Sequence, residues 1–293
     1  MHAITFFRLA EAGGFRAFSW PLRRPAVFVA FAMKKGKSYR VVLATLALIG
    51  CLGGRPVARA ADPVQIAAAA DLVYCLDALH AEFTKVEPGA RLKVSTGSSG
   101  NFFAQIQNGA PYDVFLSADL RYPRELIAAG LADAGSLTPY AIGRIVLWTT
   151  RPNLDLSTGL AVVRTDAVKR LAIANPDHAP YGRAAKQALE DGGWWEAVAP
   201  KLVFGENIAQ TAQFVETSNA DAGVVALALV LSPRLAGIGR YVEIPATTHQ
   251  PLEQGAVLTN RGAKNDAARR YLAFLKSKEA RAIFDRFGFR LPD

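Results

Sequence analysis

From Val64 to Phe287 short apolar runs alternate with helical patterns, and the connection between each run and the next helix is only a few residues long. Strands joined by helices pair in parallel and need cover on both faces, so this alternation predicts an α/β protein. Val64 to Ala70 reads as a strand. Leu72, Leu76, Leu79 and Phe83 follow at helical spacing, which places Asp71 at the N-cap of a helix. A second strand, Arg91 to Ser95, passes through Gly97-Ser98-Ser99-Gly100 into a helix from Phe102 to Asn108 that Gly109 can end. Strands are expected at Asp113–Ser117, Arg144–Thr150, Leu171–Ala174, Ala222–Ala226 and Ala256–Thr259. Helices are expected at Arg124–Ala129, Tyr181–Glu190, Ile208–Glu216, Ala267–Leu275 and Glu279–Phe287.

Charge narrows the function classes once it is located along the chain. The net charge is +9, but of the 34 basic and 25 acidic residues ten and one, respectively, lie within positions 1–60, leaving 24 of each for the remainder. A neutral body removes the main support for a nucleic-acid-binding reading.

The basic N-terminal segment has the parts of an export signal: Lys34 to Arg40 is cationic, Val41 to Gly53 apolar, and Ala58-Arg59-Ala60 supplies small residues at a cleavage site. Cleavage is predicted after Ala60, which makes the protein periplasmic. At about 13 residues the apolar run falls short of the ~20 that span a bilayer. Met33 before Lys34 marks residues 1–32 as an over-extended start. Leu48-Ile49-Gly50-Cys51 offers an alternative, a lipid anchor on Cys51. After cleavage Cys75 is the one cysteine left, in an apolar helical pattern that suits a buried small hydrophobe.

Four strand-to-helix junctions carry no Lys or Arg: Ala70-Asp71, Ser98-Ser99-Gly100, Pro180-Tyr181-Gly182 and Asn207-Ile208. Helix N-termini combine unpaired N–H donors with partial positive charge, so several facing one cleft would bind an anion without a basic side chain. Taken singly, Asp71 and Ser99 also read as ordinary N-caps and Gly97 and Gly100 as turn residues. Catalytic patterns are poorer. His80, His178 and His249 form no pair at metal-ligand spacing, and there is no nucleophile elbow, phosphate-binding loop or Cys–His pairing, so no catalytic residue is assigned. Tyr112, Phe115, Trp148, Trp194 and Trp195 are expected as core or interface aromatics.

The runs Ala67-Ala68-Ala69-Ala70-Asp71-Leu72, Gly97-Ser98-Ser99-Gly100, Gln105 to Pro111, Asp113 to Asp119, Ala174 to Gly182 and Phe284 to Phe289 together resemble the periplasmic molybdate-binding family of ABC importers. The likeness covers residues 62–293. It implies a two-lobed type II periplasmic binding fold, with lobe 1 at 62–142 plus 246–293 and lobe 2 at 143–245. It also implies a molybdate or tungstate ligand, no cofactor, a membrane permease as partner, a monomer and no enzymatic activity. Carried onto this chain, the ligand positions are Asp71, Ser98, Ser99, Tyr181 and Ile208. Ser99 would give a hydroxyl and an N–H, and Tyr181 and Ile208 would give backbone N–H groups. Two positions depart from the family pattern. Asp71 stands where many members have Ser or Asn, and is expected to turn its carboxylate onto its own helix as a cap. Ala226 stands where many carry a tyrosine, leaving the Tyr181 hydroxyl as a substitute donor. Phosphate or sulfate transport, and an exported ester hydrolase, are the alternatives.

Overall fold

The computed structural model describes residues 63–292. The predicted export segment, its cleavage site and Cys51 lie outside the described residues. In chain order the elements are β1 (Val64–Ala69), α1 (Cys75–Val86), β2 (Leu92–Gly97), α2 (Ser99–Gln107), β3 (Val114–Ser117), α3 (Arg121–Ala128), β4 (Thr138–Gly143) and β5 (Ile145–Thr149). Then come β6 (Leu171–Ala174), α4 (Pro180–Asp191), α5 (Trp195–Val198), β7 (Leu202–Gly205), α6 (Ile208–Glu216), β8 (Ala222–Ala226) and α7 (Leu227–Val230). The chain closes with β9 (Arg240–Glu243), β10 (Leu252–Leu258), α8 (Asp266–Phe274) and α9 (Lys278–Arg286).

These strands form two five-stranded sheets, ordered β2-β1-β3-β10-β4 and β7-β6-β8-β5-β9, each the centre of one lobe. In the first, β1 pairs in parallel with β2 and β3, while β10 runs antiparallel to β3 and β4. The chain crosses from one sheet to the other twice. Only Arg144 separates β4 from β5, and the return runs from β9 to β10.

Both faces of the first sheet are covered, as the helical connections require. Ile66 and Ala68 face the layer built from α1, α8 and α9, whereas Ala67 between them faces the α2 and α3 layer with Phe102 and Tyr122. The period of two repeats in β3, where Val114 and Leu116 join the first layer and Phe115 the second. The second sheet has its own core, with Trp148 and Tyr181 among its largest buried side chains. Trp148 donates its indole N–H to the Ile238 carbonyl at 2.9 Å. Cys75 is buried and has no disulfide partner among the described residues, and His80 packs 3.1 Å from the Tyr271 hydroxyl.

Strands β4, β7 and β9 are not among those expected from the sequence, and each is a sheet edge. An edge strand exposes one flank and tolerates polar residues and Pro. Pro139 lies in β4, and Arg240, Tyr241 and Glu243 of β9 are exposed.

Candidate functional site

The N-termini of α2, α4 and α6 meet at one narrow cleft. It is lined by Ala70, Asp71, Ser98, Ser99 and Ala118 from the first lobe and by Pro180, Tyr181, Asn207 and Ile208 from the second. All five residues singled out from the sequence, Asp71, Ser98, Ser99, Tyr181 and Ile208, border it.

Accounting for the first-turn amides shows what each helix has left to offer, because the opening N–H groups of a helix have no acceptor within it. In α2, Gly100 N–H donates to the His178 carbonyl at 2.9 Å, and Asn101 N–H donates to the Ser98 hydroxyl at 3.3 Å. Ser99 N–H remains. In α6 the Asn207 side chain accepts from Ala209 N–H at 3.0 Å and Gln210 N–H at 3.1 Å, so Ile208 N–H remains. In α4 Pro180 has no N–H and Arg183 N–H bonds the Ala179 carbonyl, which leaves Tyr181 and Gly182. The caps themselves thus select which amides stay available. Ser99 adds a hydroxyl: its oxygen accepts from Ala118 N–H at 3.0 Å, so its proton is the part left to donate. No Lys, Arg or His lines the cleft among the described residues. Three helix N-termini, each equivalent to roughly half a positive charge, supply the field instead.

Beneath the cleft lies a buried polar network. Asp71 sits in a single tight turn, Ala70–Leu72, well before α1 begins at Cys75, and its side chain caps nothing. The N-cap expectation is therefore wrong. With no helix directly after it, the carboxylate turns inward. Asp71 Oδ2 accepts from the Tyr181 hydroxyl at 3.0 Å and from Gln254 Nε2 at 2.5 Å. Gln254 Oε1 accepts in turn from the Tyr140 hydroxyl at 2.9 Å. The Tyr181 hydroxyl is spent on Asp71, so it does not take the role of the tyrosine missing at Ala226. Burial pushes the Asp71 carboxyl up from 3.8 to about 6, against the pull of the Gln254 and Tyr181 hydrogen bonds and its own amide. Burial first, and then the nearby Asp71 charge, hold the Tyr140 and Tyr181 phenols well above their usual range.

A model of the bacterial extracellular solute-binding protein family matches residues 64–290. The chain belongs to this family. It is 39% identical over 246 residues to the molybdate-binding protein ModA of Azotobacter vinelandii, covering 83% of this chain and 97% of that protein. It is 38% identical over 236 residues to ModA of Rhodobacter capsulatus, covering 80% and 91% of the two chains. The solved Azotobacter vinelandii periplasmic molybdate-binding protein matches the fold with a TM-score of 0.74 at 34% identity, over 78% of this chain and 100% of that one.

In this solute-binding protein the lobes are also tied at the cleft mouth. Ser98 Oγ lies 2.9 Å from His178 Nδ1, Asn101 Nδ2 donates to Glu206, and Arg183 pairs with Asp119. Gly100 is where α2 meets the other lobe, and a Cβ there would sit 2.6 Å from the His178 carbonyl oxygen. Its role is close approach rather than a turn. At the crossover Gly143 does the same for the network below, since a Cβ would lie 2.3 Å from the Tyr181 hydroxyl.

Gln254 and Tyr140 escaped the sequence reading. The local sequence, Leu252-Glu253-Gln254-Gly255, gave no signal that singled out the amide. A wider hollow lined by Tyr74, Gln213, Glu216 and Arg234 competes poorly as an anion site. Arg234 is held by Glu216 at 2.8 Å, and the α6 amides bordering it are those already taken by Asn207.

Proposed function

We propose that this protein is the periplasmic receptor of an ABC importer, capturing molybdate or tungstate in the cleft and presenting the closed form to a membrane permease. The supporting observation is the set of uncommitted donors, the amides of Ser99, Tyr181 and Ile208 with the Ser99 hydroxyl, converging on one small cleft that has no cationic side chain. Neutral donors fixed by helix geometry suit an anion that is fully ionised and offers only acceptors. A hydrogen bond to a charged group contributes about 1.5–3 kcal/mol, so four together carry a tight complex. The relatives named for molybdate support this choice of ligand class. The protein works as a binding protein rather than an enzyme, as a monomer that closes around its anion by movement about the Gly143–Arg144 crossover and the connection from β9 to β10.

Isothermal titration of the purified protein with molybdate, tungstate, sulfate and phosphate tests the reading. Tight binding of the first two with weak sulfate and phosphate is expected. Preference for phosphate or sulfate would move the assignment to another oxyanion, and binding of none would overturn it.

A further inference from the structure

Asp71 is the polar residue of the cleft whose chemistry the proposed function leaves unused. Its two oxygens are treated differently. Both donors, from Tyr181 of the second lobe and Gln254 of the first, converge on Oδ2. Oδ1 is fully buried and has no hydrogen-bond partner among the described residues, although Asp71 borders the cleft. An ionised Oδ1 would set a negative charge against a dianion in a dry site, with no cation to offset it. A proton on Oδ1 removes that conflict and creates an O–H donor on a residue that lines the same cleft as Ser99.

We infer that Asp71 binds the oxyanion as a neutral carboxylic acid donating through Oδ1, so that the receptor takes up one proton with each anion it captures. The inference rests on the oxyanion reading of the cleft. The proton comes from solvent, joins the carboxylate as the anion docks, and returns to solvent when the lobes open; no other bond changes.

The surroundings favour this proton. The titratable groups nearest Asp71 are Tyr181 on α4, Tyr140 on β4 and Cys75 on α1, all neutral where burial has raised them. Tyr271 on α8 and Asp119 lie farther out and act on Tyr140, and Arg286 on α9 acts on Cys75. β2 and α7 carry no titratable side chain next to the Ala70–Leu72 turn, and α6 has only Glu216, paired with Arg234. No cation is among the groups that set the Asp71 carboxyl, and burial, opposed by the Gln254, Tyr181 and backbone hydrogen bonds, brings it to about 6 before an anion arrives. A dianion at hydrogen-bond distance raises it further.

The test is titration with sodium molybdate from pH 6 to 8, repeated near pH 7.5 in buffers of different ionisation enthalpy, for the protein and for Asp71→Asn. An asparagine can present Oδ1 to Tyr181 and Gln254 and its NH₂ to the cleft, which copies the protonated acid. Affinity of the native protein is expected to fall toward tenfold per pH unit above about pH 6, with nearly one proton taken up per anion at pH 7.5. Asp71→Asn is expected to bind with neither the slope nor the proton uptake. Molybdate binding by both proteins with no proton uptake would overturn the inference while leaving the receptor assignment standing. So would proton uptake that persists in Asp71→Asn. A native protein that binds inorganic phosphate in preference to molybdate, more tightly as pH rises, would make Asp71 an acceptor. Failure of both proteins to bind any of the oxyanions would remove the receptor reading and the inference with it.

Discussion

Two polar networks tie the lobes together, one at the cleft mouth and one at its floor, and they differ mainly in water. At the mouth, Arg183 and Asp119 side chains are 26% and 15% exposed, and Glu206 is more than half exposed. At the floor, Asp71, Tyr140, Tyr181 and Gln254 are essentially inaccessible. The same kinds of hydrogen bond therefore carry different consequences. Exposed ion pairs contribute about 0–1 kcal/mol because solvent already screens and solvates both partners. A buried group that loses its partner has no water to replace it. The floor can thus sense ligand and pH, whereas the mouth mostly sets how the lobes meet.

The largest effect that tests this contrast is expected from Gln254→Leu. It strips Asp71 of its 2.5 Å donor and leaves the Tyr140 hydroxyl with only the Ser117 carbonyl at 3.2 Å. At pH 8, where the carboxylate is charged, the loss should be about 3–5 kcal/mol in urea unfolding. At pH 5 it should shrink to about 1–3 kcal/mol, because a neutral acid needs its donors less. An equal loss at both values would mean that the floor does not carry a titrating charge.

Asp71→Asn sharpens the same point with the opposite sign. The folded protein holds the Asp71 proton more tightly than the unfolded chain, since burial raises the carboxyl from 3.8 to about 6. The Asp71 contribution to stability is therefore most favourable below the unfolded value and falls as pH rises across that window, levelling off above it. The full penalty is about 3 kcal/mol. Asp71→Asn should recover about this much at pH 8 and almost none at pH 3.5, read as the difference in urea midpoints.

What the sequence made legible follows the same division. Periodicity and cap chemistry depend on near neighbours, so the helix starts at Tyr181 and Ile208 could be read to within a residue. The Ser98-Ser99-Gly100 junction could be named, although its helix was expected only from Phe102 and begins at Ser99. The absence of Lys and Arg at these junctions was equally legible. The family resemblance then gathered those starts into one list of ligand positions. Asp71 was misread because its surroundings are not local. A carboxylate just ahead of a helical pattern looks like a cap until Gln254, 183 residues away, and Tyr181, 110 residues away, are folded against it. Three of the four edge strands, β4, β7 and β9, were missed, because polar residues and Pro in β4 and β9 and the shortness of β7 weaken the apolar signal that marks the central strands.

The smallest expected effect belongs to the mouth. Arg183→Ala removes the Asp119 pair and the 3.3 Å contact with the Tyr122 hydroxyl. Asp119 keeps the Ser117 hydroxyl and Tyr122 N–H, both at 3.2 Å, and both Arg183 and Asp119 reach water. Stability should change by less than about 1 kcal/mol. The pH slope of oxyanion affinity should stay as in the native protein, because Arg183 is not among the groups that act on Asp71. What should move is the ionic-strength dependence of ligand release, since an interlobe pair screened by salt holds the closed form less firmly as salt rises. Stopped-flow release rates at low and high salt read this. A native protein whose release quickens with salt, beside an Arg183→Ala variant already fast and insensitive to it, would place the mouth in kinetics and the floor in affinity. A release rate indifferent to salt in both would leave the buried floor as the sole tie between the lobes that matters to the ligand.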